Sequence, residues 1–329
     1  MKVLITGGAG FIGSHLSDYL IKKKNISKVI VIDNIKDGSV QNLKNSFKSN
    51  KFKFYKADIN NFREIVKKFK SIDLVYHLAA LSDVVPSIDK PIDYMHSNII
   101  GTVNVLEAMR KANVKKIIYA ASSSCYGITK NVPTKETHQI NTIYPYSLSK
   151  NIGEQIIIHW SKTYNISFVS LRLFNVYGTR SRTNSAYGAA LGVFIKQKLS
   201  NYPFTIIGSG KQKRDFIHVN DVVRAFFLAS KKFVKNQIIN IGSGKPRSVL
   251  EMVKILEGKK TFIPKRPGEP DITHANIEKA KKFLKWQPKI SLEIGLNEIL
   301  KNSSYWKKSP LWTKLKIRKA TKNWFRYLN

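Results

Sequence analysis

Three glycines after the first apolar run could bring the backbone close to a phosphate group. A short Val/Leu/Ile run is followed by Gly7, Gly10 and Gly13, which open an amphipathic segment. Glycine permits a sharp turn and a close approach to a pyrophosphate, whose charge then lies at a helix N-terminus. Asp33 ends the second apolar run, where a carboxylate accepts hydrogen bonds from the adenosine ribose and repels a 2′-phosphate. The pattern predicts a site for NAD rather than NADP.

Tyr146 and Lys150 lie four residues apart, just after a proline that suits the first turn of a helix. Residues at this spacing share one helix face. A phenol with a pKa near ~10 is a poor base at neutral pH, because its ionisation there costs about 4 kcal/mol. A neighbouring ammonium and a positively charged nicotinamide offset part of that cost. The pair is a candidate for proton transfer, although the same spacing also occurs in helices that do no chemistry.

Two further groups of polar residues have more than one interpretation. Ser122, Ser123 and Ser124 follow the fifth apolar run. Their hydroxyls could bind a sugar and help to pass a proton to the tyrosine, or they could bond the backbone of a loop. Asp58 follows the third run, where it is either part of the dinucleotide site or the N-cap of a helix over residues 61–69.

The elements that must position these residues alternate regularly in the first half of the chain. We predict strands at 2–6, 28–33, 52–56, 74–77, 116–120 and 167–173, and helices at 11–24, 62–69, 94–111 and 146–164. Strand and helix alternating at this spacing are typical of a parallel sheet covered by helices on both faces. The predicted fold class is therefore a doubly wound α/β fold of the Rossmann type.

Proline and glycine become frequent after residue 178, which indicates a smaller mixed lobe at the carboxyl edge of the sheet. We predict an NAD-binding domain at 1–175, to which 212–242 returns. A substrate-binding lobe is predicted at 176–211 and 243–305, followed by a basic, aromatic extension at 306–329.

Several motifs in chain order resemble those of the extended short-chain dehydrogenase/reductases, in particular the NAD-dependent nucleotide-sugar epimerase/dehydratase branch. They are Thr6-Gly7-Gly8-Ala9-Gly10-Phe11-Ile12-Gly13, His77-Leu78-Ala79-Ala80, Asn98-Ile99-Ile100-Gly101-Thr102, Arg172-Leu173-Phe174-Asn175-Val176-Tyr177-Gly178, Arg214-Asp215-Phe216-Ile217-His218-Val219-Asn220-Asp221 and Lys265-Arg266-Pro267-Gly268-Glu269. The resemblance runs over nearly the whole chain.

The resemblance implies a role for each residue that matches these motifs. The implied catalytic trio is Ser122, Tyr146 and Lys150. The implied NAD contacts, besides the glycines, Asp33, Tyr146 and Lys150, are Phe11, Ile12, Asn34, Asp58, Ile59, Leu78, Ala79, Ala80 and Asn98. The implied contacts to a nucleotide sugar, which we expect to be UDP-linked, are Ser123, Ser124, Asn175, Thr205, Arg214, Arg266 and Glu269. Two guanidiniums suit a diphosphate, because they offer forked donors and permanent charge.

Residues after Ser122 bear on the reaction. Relatives that dehydrate or decarboxylate the sugar usually carry an acid one or two places later, whereas this chain has Ser123 and Ser124. The Ser-Ser-Ser pattern resembles the C4 epimerases of UDP-hexoses, such as UDP-glucose/galactose or their N-acetyl forms. The alternatives on the same fold are a 4,6-dehydratase, a UDP-glucuronate epimerase and a decarboxylase. Family members usually form homodimers, which is the oligomeric state that we expect.

The composition excludes several classes of protein. Of 329 residues, 43% are hydrophobic and 24% are charged, which is typical of a folded globular chain. No apolar run reaches the ~18 residues of a membrane-spanning helix, and one cysteine excludes a disulfide framework. The seven histidines have no spacing typical of a metal site, so we predict no metal. The first strand leaves no room for a signal peptide, so we expect a cytoplasmic protein.

The charge is unusual: 57 Lys and Arg against 21 Asp and Glu give a net charge of +36. Basic surfaces suit nucleic acids, anionic membranes or anionic substrates. The lysines are scattered and concentrate only from Lys307 to Arg326, which favours solvated faces over a specific nucleic-acid site. A basic nucleic-acid-binding or scaffold protein without activity is the remote alternative.

The last 24 residues interleave aromatic and aliphatic side chains with basic ones. One interpretation is an interfacial helix on an anionic membrane. The interpretation that we favour is a C-terminal helix that packs its aromatic side chains on the smaller lobe.

Overall fold

Strands and helices alternate along the computed structural model, which describes residues 1–181 and 190–328. The strands are β1 (Lys2–Thr6), β2 (Lys28–Asp33), β3 (Phe52–Lys56), β4 (Leu74–His77), β5 (Lys116–Ser122), β6 (Ser167–Leu173), β7 (Asn175–Tyr177), β8 (Phe204–Ile207), β9 (Lys213–Arg214), β10 (Phe216–His218), β11 (Gln237–Ile241), β12 (Arg247–Ser248) and β13 (Lys260–Ile263). The α-helices are α1 (Phe11–Ile21), α2 (Phe62–Ile65), α3 (Val84–Asp89), α4 (Pro91–Met95), α5 (Gly101–Lys111), α6 (Pro145–Tyr164), α7 (Ala190–Leu199), α8 (Val219–Ala229), α9 (Val249–Leu256), α10 (Glu278–Leu284), α11 (Leu292–Lys301), α12 (Lys314–Ala320) and α13 (Lys322–Tyr327).

One parallel sheet, in the order β11-β6-β5-β4-β1-β2-β3, organises the first half of the chain. Successive side chains of a strand point to opposite faces, so Val3 and Ile5 of β1 join one core while Leu4 joins the other. Helices α1, α8 and α10 cover the first face, and α2, α5 and α6 cover the second. The predicted doubly wound parallel sheet is confirmed.

The predicted helices are less regular than the strands. The helix expected over 94–111 consists of α4, a π-helical turn at His96–Ile100, and α5. That turn carries Asn98, whose amide is hydrogen-bonded to the backbone of Leu81, and π-turns inside helices are frequent at functional sites. The helix expected over 62–69 is the single turn α2 followed by a 3-10 turn.

A smaller core lies outside the large sheet. It is formed by α7, α9 and α11 around the parallel pair β8 and β13, and Trp306 is fully buried in it. Between these elements, β11 completes the large sheet beside β6, and α8 packs against α1. The division into domains at the predicted residues stays a prediction, and 182–189 of the smaller lobe lie outside the described residues.

The C-terminal residues pack on both parts of the molecule. Trp306 joins the smaller core, in line with the favoured interpretation, whereas Trp324 packs against Tyr144 and Val85 of the first half. In the two described stretches, no helix is both long enough and apolar enough to span a membrane.

The carboxyl ends of β1 and β4 lie side by side at the point where the strand order reverses, which opens a crevice in doubly wound sheets. His77 holds these ends together. Its Nδ1 lies 2.7 Å from Thr6 Oγ1 and its Nε2 lies 2.9 Å from Thr102 Oγ1. The pKa of His77 is lowered to about 3, mainly by complete burial and to a smaller extent by the charge of Lys150. The folded protein therefore keeps this imidazole neutral.

We expect the free energy of unfolding to fall in acid partly because of His77. The unfolded chain binds a proton there below about pH 6.5, whereas the folded chain excludes it down to about pH 3. Between pH 7 and pH 5, wild type should therefore lose about 2 kcal/mol relative to His77→Gln in urea unfolding. His159→Gln, at an exposed position, should follow the wild type. If the free energy of unfolding of wild type and of His77→Gln fell in parallel with pH, a lowered pKa of His77 in the folded protein would be contradicted.

Candidate active site

The loop between β1 and α1 has no space for side chains. Gly7 has a φ of +70°, and a Cβ there would lie 2.6 Å from the backbone nitrogen of Ala79. A Cβ at Gly13 would lie 2.2 Å from the carbonyl oxygen of Gly7. Helix α1 then begins at Phe11, and its N-cap is Gly10, which makes no side-chain cap. This end of the helix can therefore face an anionic group, as a pyrophosphate site requires.

Asp33 stands beside this loop at the end of β2. It is 8% exposed, and its Oδ2 accepts a hydrogen bond from the Ala9 backbone N–H at 2.9 Å. Its Oδ1 accepts a bond from the Ile35 backbone N–H at 2.8 Å. These bonds fix the carboxylate at the rim of the glycine loop, where the sequence predicts a ribose.

Asp58 is positioned by Asn34 rather than by a helix. Its Oδ2 accepts a hydrogen bond from Asn34 Nδ2 at 2.9 Å, and its Oδ1 accepts one from the Asn60 backbone at 2.9 Å. The N-cap of α2 is Asn61, so the alternative in which Asp58 caps that helix is wrong. The chain turns once more between Asp58 and the helix, and this turn leaves the carboxylate at the crevice.

Helix α6 carries both the tyrosine and the lysine. Its first turn is fixed by Pro145 and by Ser147 Oγ, which accepts a bond from the Tyr144 backbone at 3.0 Å. Tyr146 keeps part of its side chain open to the crevice. Burial raises the pKa of Tyr146, and a hydrogen bond to Ser122 partly opposes this, so that the pKa is about 12.

Lys150 lies one turn further along α6 and is 4% exposed. Its Nζ lies 4.1 Å from the ring centroid of Tyr119, which offers a cation the face of an aromatic ring. Burial lowers the pKa of Lys150 to about 7, and the charge of Glu154 opposes this shift. Glu154 is itself buried and paired with Arg172 of β6. This ion pair attaches α6 to the sheet directly behind the lysine.

The three serines form a tight turn at the end of β5. Ser122 Oγ lies 2.8 Å from Ser124 Oγ and accepts a bond from the Ser124 backbone N–H at 3.2 Å. Ser122 therefore caps the 3-10 turn Ser123–Tyr126 and also reaches Tyr146. Cys125 in this turn is 2% exposed, and burial raises the pKa of its thiol to about 12.

Asn98, predicted to contact NAD, lies behind the wall of the site. It is 1% exposed, and its amide bonds the Leu81 N–H at 2.8 Å and the Leu81 carbonyl at 3.0 Å. It also donates to Ser149 Oγ at 2.9 Å. Asn98 therefore joins the loop after β4 to the helix of Tyr146 and Lys150, and its direct contact with a cofactor stays a prediction.

Two arginines and a glutamate meet at the other end of the crevice. Glu269 Oε1 lies 2.6 Å from Arg266 Nη2, and its Oε2 lies 3.9 Å from Arg214 Nη2. Burial lowers the pKa of Arg214, and the charge of Glu269 opposes this. Two guanidiniums against one carboxylate leave an excess of positive charge, which suits an anionic ligand.

Asn175 and Thr205 complete this end. Asn175 Oδ1 accepts a hydrogen bond from Thr273 Oγ1 at 3.0 Å. Thr205 is 4% exposed and is held by Gln197, whose Nε2 donates to Thr205 Oγ1 at 2.9 Å. Both residues face the same crevice as the arginines.

A single cavity of about 900 Å³ is lined by every predicted site residue except Asn98. Residues that the sequence interpretation missed include Asp83, Val85, Tyr144, Ile317 and Trp324. Tyr144 lies two positions before Tyr146, so its place in the site was within reach of the sequence. Nothing local in the sequence placed the last two at the cavity. Among residues 1–181 and 190–328, no group of three or more His, Cys, Asp or Glu side chains is arranged to hold a metal.

Comparisons with known proteins give the relatives of this chain. Residues 3–242 match the model of the NAD dependent epimerase/dehydratase family. The UDP-glucose 4-epimerase of Thermotoga maritima, solved with UDP-glucose, is 34% identical with a TM-score of 0.85, over 94% of this chain and 99% of that one. The UDP-N-acetylglucosamine 4-epimerase of Methanobrevibacter ruminantium is 31% identical with a TM-score of 0.84, over 92% and 98%. The UDP-glucuronic acid 4-epimerase of Bacillus cereus, solved with UDP-glucuronic acid and NAD, is 34% identical with a TM-score of 0.86, over 94% and 99%.

We expect Asn98→Ala to destabilise the protein by about 3 kcal/mol, because the partly buried N–H and carbonyl of Leu81 lose their partner. Ser149→Ala should cost only about 1 kcal/mol, since the Leu81 groups remain bonded. Urea unfolding at constant pH measures both. Equal losses in the two variants would show that Asn98 does not hold the Leu81 loop.

Proposed function

Since the chain belongs to the NAD-dependent epimerase/dehydratase family, we propose that it inverts C4 of a UDP-linked hexose by transient oxidation with bound NAD. One observation carries this proposal. The Tyr146–Lys150 pair lies in the same cavity as the glycine turn on one side and the Arg214–Arg266 pair on the other. A dinucleotide and a nucleotide sugar can therefore meet at the tyrosine.

The residues at the glycine end would hold NAD. The glycine turn accommodates the pyrophosphate, and Asp33 accepts hydrogen bonds from the adenosine ribose. Bound NAD would supply the acceptor, and then the donor, of the hydride that is exchanged with C4 of the sugar. NAD is a metabolite of the cytoplasm, which is where we propose that the protein acts.

Tyr146 would take the proton of the 4-hydroxyl, with Ser122 hydrogen-bonded to the phenol. Ionising the phenol at neutral pH has a considerable free-energy cost, because burial raises its pKa to about 12. Lys150 offsets part of this cost. With a pKa of about 7, its amine is present in both protonation states near neutral pH, and a phenolate one turn away favours the charged form. Loss of a proton by Tyr146 is therefore coupled to the charging of Lys150.

Inversion would be possible because the protein binds the nucleotide half of the substrate more tightly than the sugar half. Arg214 and Arg266 bind the diphosphate, while the sugar meets the shorter hydroxyls of Ser123 and Ser124. The 4-keto sugar can then rotate about its bond to the diphosphate and present its other face. Tyr146 returns the proton, and the reaction ends with no net oxidation.

A 4,6-dehydratase is the second candidate, and one observation favours it. Dehydration needs a further acid or base. Neither Ser123 nor Ser124 supplies one, but Asp83 lines the cavity, and its charge contributes to the raised pKa of Tyr146.

Product analysis separates these reactions. We expect NMR of incubations with UDP-glucose, UDP-N-acetylglucosamine and UDP-glucuronate to show the C4 epimer of at least one of them. Which sugar reacts identifies the substrate. A 4-keto-6-deoxy product would replace the epimerase proposal with the dehydratase.

Tyr146→Phe should abolish turnover while NAD stays bound. The variant keeps the ring and loses only the group that carries the proton, so a loss of at least about 100-fold is expected. Turnover is followed by product formation, and bound NAD by the absorbance of the material released on denaturation. Activity equal to that of the wild type would remove Tyr146 from the mechanism.

We also propose that two copies pair through α5 and α6, the helices that the family uses for dimers. These helices lie side by side, and apolar side chains stand exposed on or beside them. Ile100 is 45%, Leu148 40% and Tyr164 39% exposed. Pairing two such faces would remove this apolar surface from water.

We expect light scattering after gel filtration to give twice the protomer mass for the wild type. Leu148→Glu should give the protomer mass, because it would bury a charge in the interface. Ile294→Glu, at a 60% exposed position on α11, is the control and should stay a dimer. A wild-type protein at the protomer mass would contradict the dimer.

A further inference from the structure

The C-terminal segment, residues 307–328, runs from the smaller core to α3 in the first half of the chain. At its start, Lys196 Nζ donates to the Lys307 carbonyl at 2.6 Å. At its end, Asn323 Nδ2 donates to Asp89 Oδ1 of α3 at 2.8 Å. Ile317 and Trp324, which lie within it, line the cavity. The segment is therefore held on both parts of the molecule and forms part of the cavity wall.

Trp324 binds the loop that carries Arg266, one of the two proposed diphosphate ligands. The residue is 2% exposed, and its Nε1 donates to the carbonyl of Pro267 at 2.9 Å. Its ring centroid lies 5.5 Å from Cζ of Arg266. A guanidinium over an indole face is attracted to it and keeps a preferred plane. Trp324 thus restrains both the backbone beside Arg266 and its charged group.

Tyr144 contacts Trp324 and supports the same loop. The two rings lie 4.8 Å apart between centroids, and the Tyr144 hydroxyl donates to the carbonyl of Gly268. Gly268 has a φ of +71°, a left-handed conformation that suits glycine. Two aromatic rings in contact, one of them from the C-terminal segment, therefore fix a turn that few other residues could adopt.

A second contact of the segment leads, through Gln197, to Thr205, which is another predicted substrate residue. Gln197 Nε2 donates to Thr205 Oγ1 at 2.9 Å and to the Trp312 carbonyl at 2.8 Å. Gln197 is fully buried, so its bond to Thr205 is shielded from water. The segment therefore also reaches the site indirectly, through Gln197.

Two of the apolar side chains of the segment are buried against the protein. Ile317 is 4% exposed and Trp324 is 2% exposed, whereas Leu315 and Tyr327 are exposed. A membrane-surface helix would need its apolar face free. This distribution favours a role at the cavity over a role on a bilayer.

We propose that the C-terminal segment is part of the nucleotide-sugar site, in which Trp324 is a positioning residue that holds Arg266 for the diphosphate. This inference rests on the proposed function, because it takes the ligand of Arg266 to be a nucleoside diphosphate. The indole acts through Arg266 and touches no reacting atom.

Binding of UDP to the full-length, NAD-loaded protein tests the inference without turnover. Trp324→Ala and Trp324→Leu should each weaken UDP binding about tenfold in calorimetry, because both lose the aromatic face. Trp324→Phe keeps a ring and should restore most of the affinity. In a turnover assay, KM should rise while kcat changes little, since the diphosphate is held equally in ground and transition states.

Trp286→Phe is the matched control. Trp286 is also buried, and its Nε1 also donates to a backbone carbonyl, that of Asp221, at 2.9 Å, but it does not line the cavity. This variant loses the same kind of bond and should keep the wild-type affinity for UDP. Tyr327→Ala, on the exposed side of α13, should also keep it.

The outcomes separate the inference from the proposed function. Unchanged UDP affinity in Trp324→Ala would overturn the inference, as would Trp324→Leu binding as well as Trp324→Phe, which would leave only packing. A tenfold loss of UDP affinity in Trp286→Phe would also overturn it, because the loss would then not depend on a position at the cavity. Wild-type protein that binds UDP but epimerises no UDP-sugar would overturn the function alone, and the variant series would still decide the role of Trp324.

Discussion

A buried amine one helical turn from a phenol is the constraint on which the rest of the site depends. Lys150 must stay in a poorly solvated place to hold its pKa near 7, and such a place penalises every uncompensated charge. The protein compensates with the face of Tyr119, with Glu154 one turn on, and with Arg172 as the partner of that glutamate. The parallel sheet supplies a wall rigid enough to keep these groups in contact.

The two ends of the cavity are held together by different kinds of contact. The glycine end is built from neighbouring strand ends, so that the glycine turn, Asp33 and the Leu81 loop meet because parallel strands finish at one edge. The arginine end collects residues from a loop, a short strand and the C-terminal segment. It is held by side-chain contacts, such as those of Trp324 and Glu269, rather than by a ladder of backbone bonds.

The features that the sequence predicts best are those determined by neighbouring residues in the chain. The strand bounds and the glycine turn follow from short patterns, because hydrophobic period and backbone freedom are local properties. The role of Asp58 was open between the dinucleotide site and the cap of a helix, because an aspartate suits both, and only the path of the loop decides between them. Trp324 and Arg266 are 58 residues apart, and no periodic pattern in the sequence links them. Their contact could therefore be seen only in the folded structure.

The state of Cys125 has a practical consequence. It is the chain's one cysteine, it is 2% exposed, and its thiol has a pKa of about 12. Only a thiolate reacts readily with maleimides or oxidants, so this sulfur is inert under ordinary handling. A cysteine introduced at an exposed position would therefore be the sole reactive thiol, and a fluorophore or spin label could be attached there without altering the native sequence elsewhere.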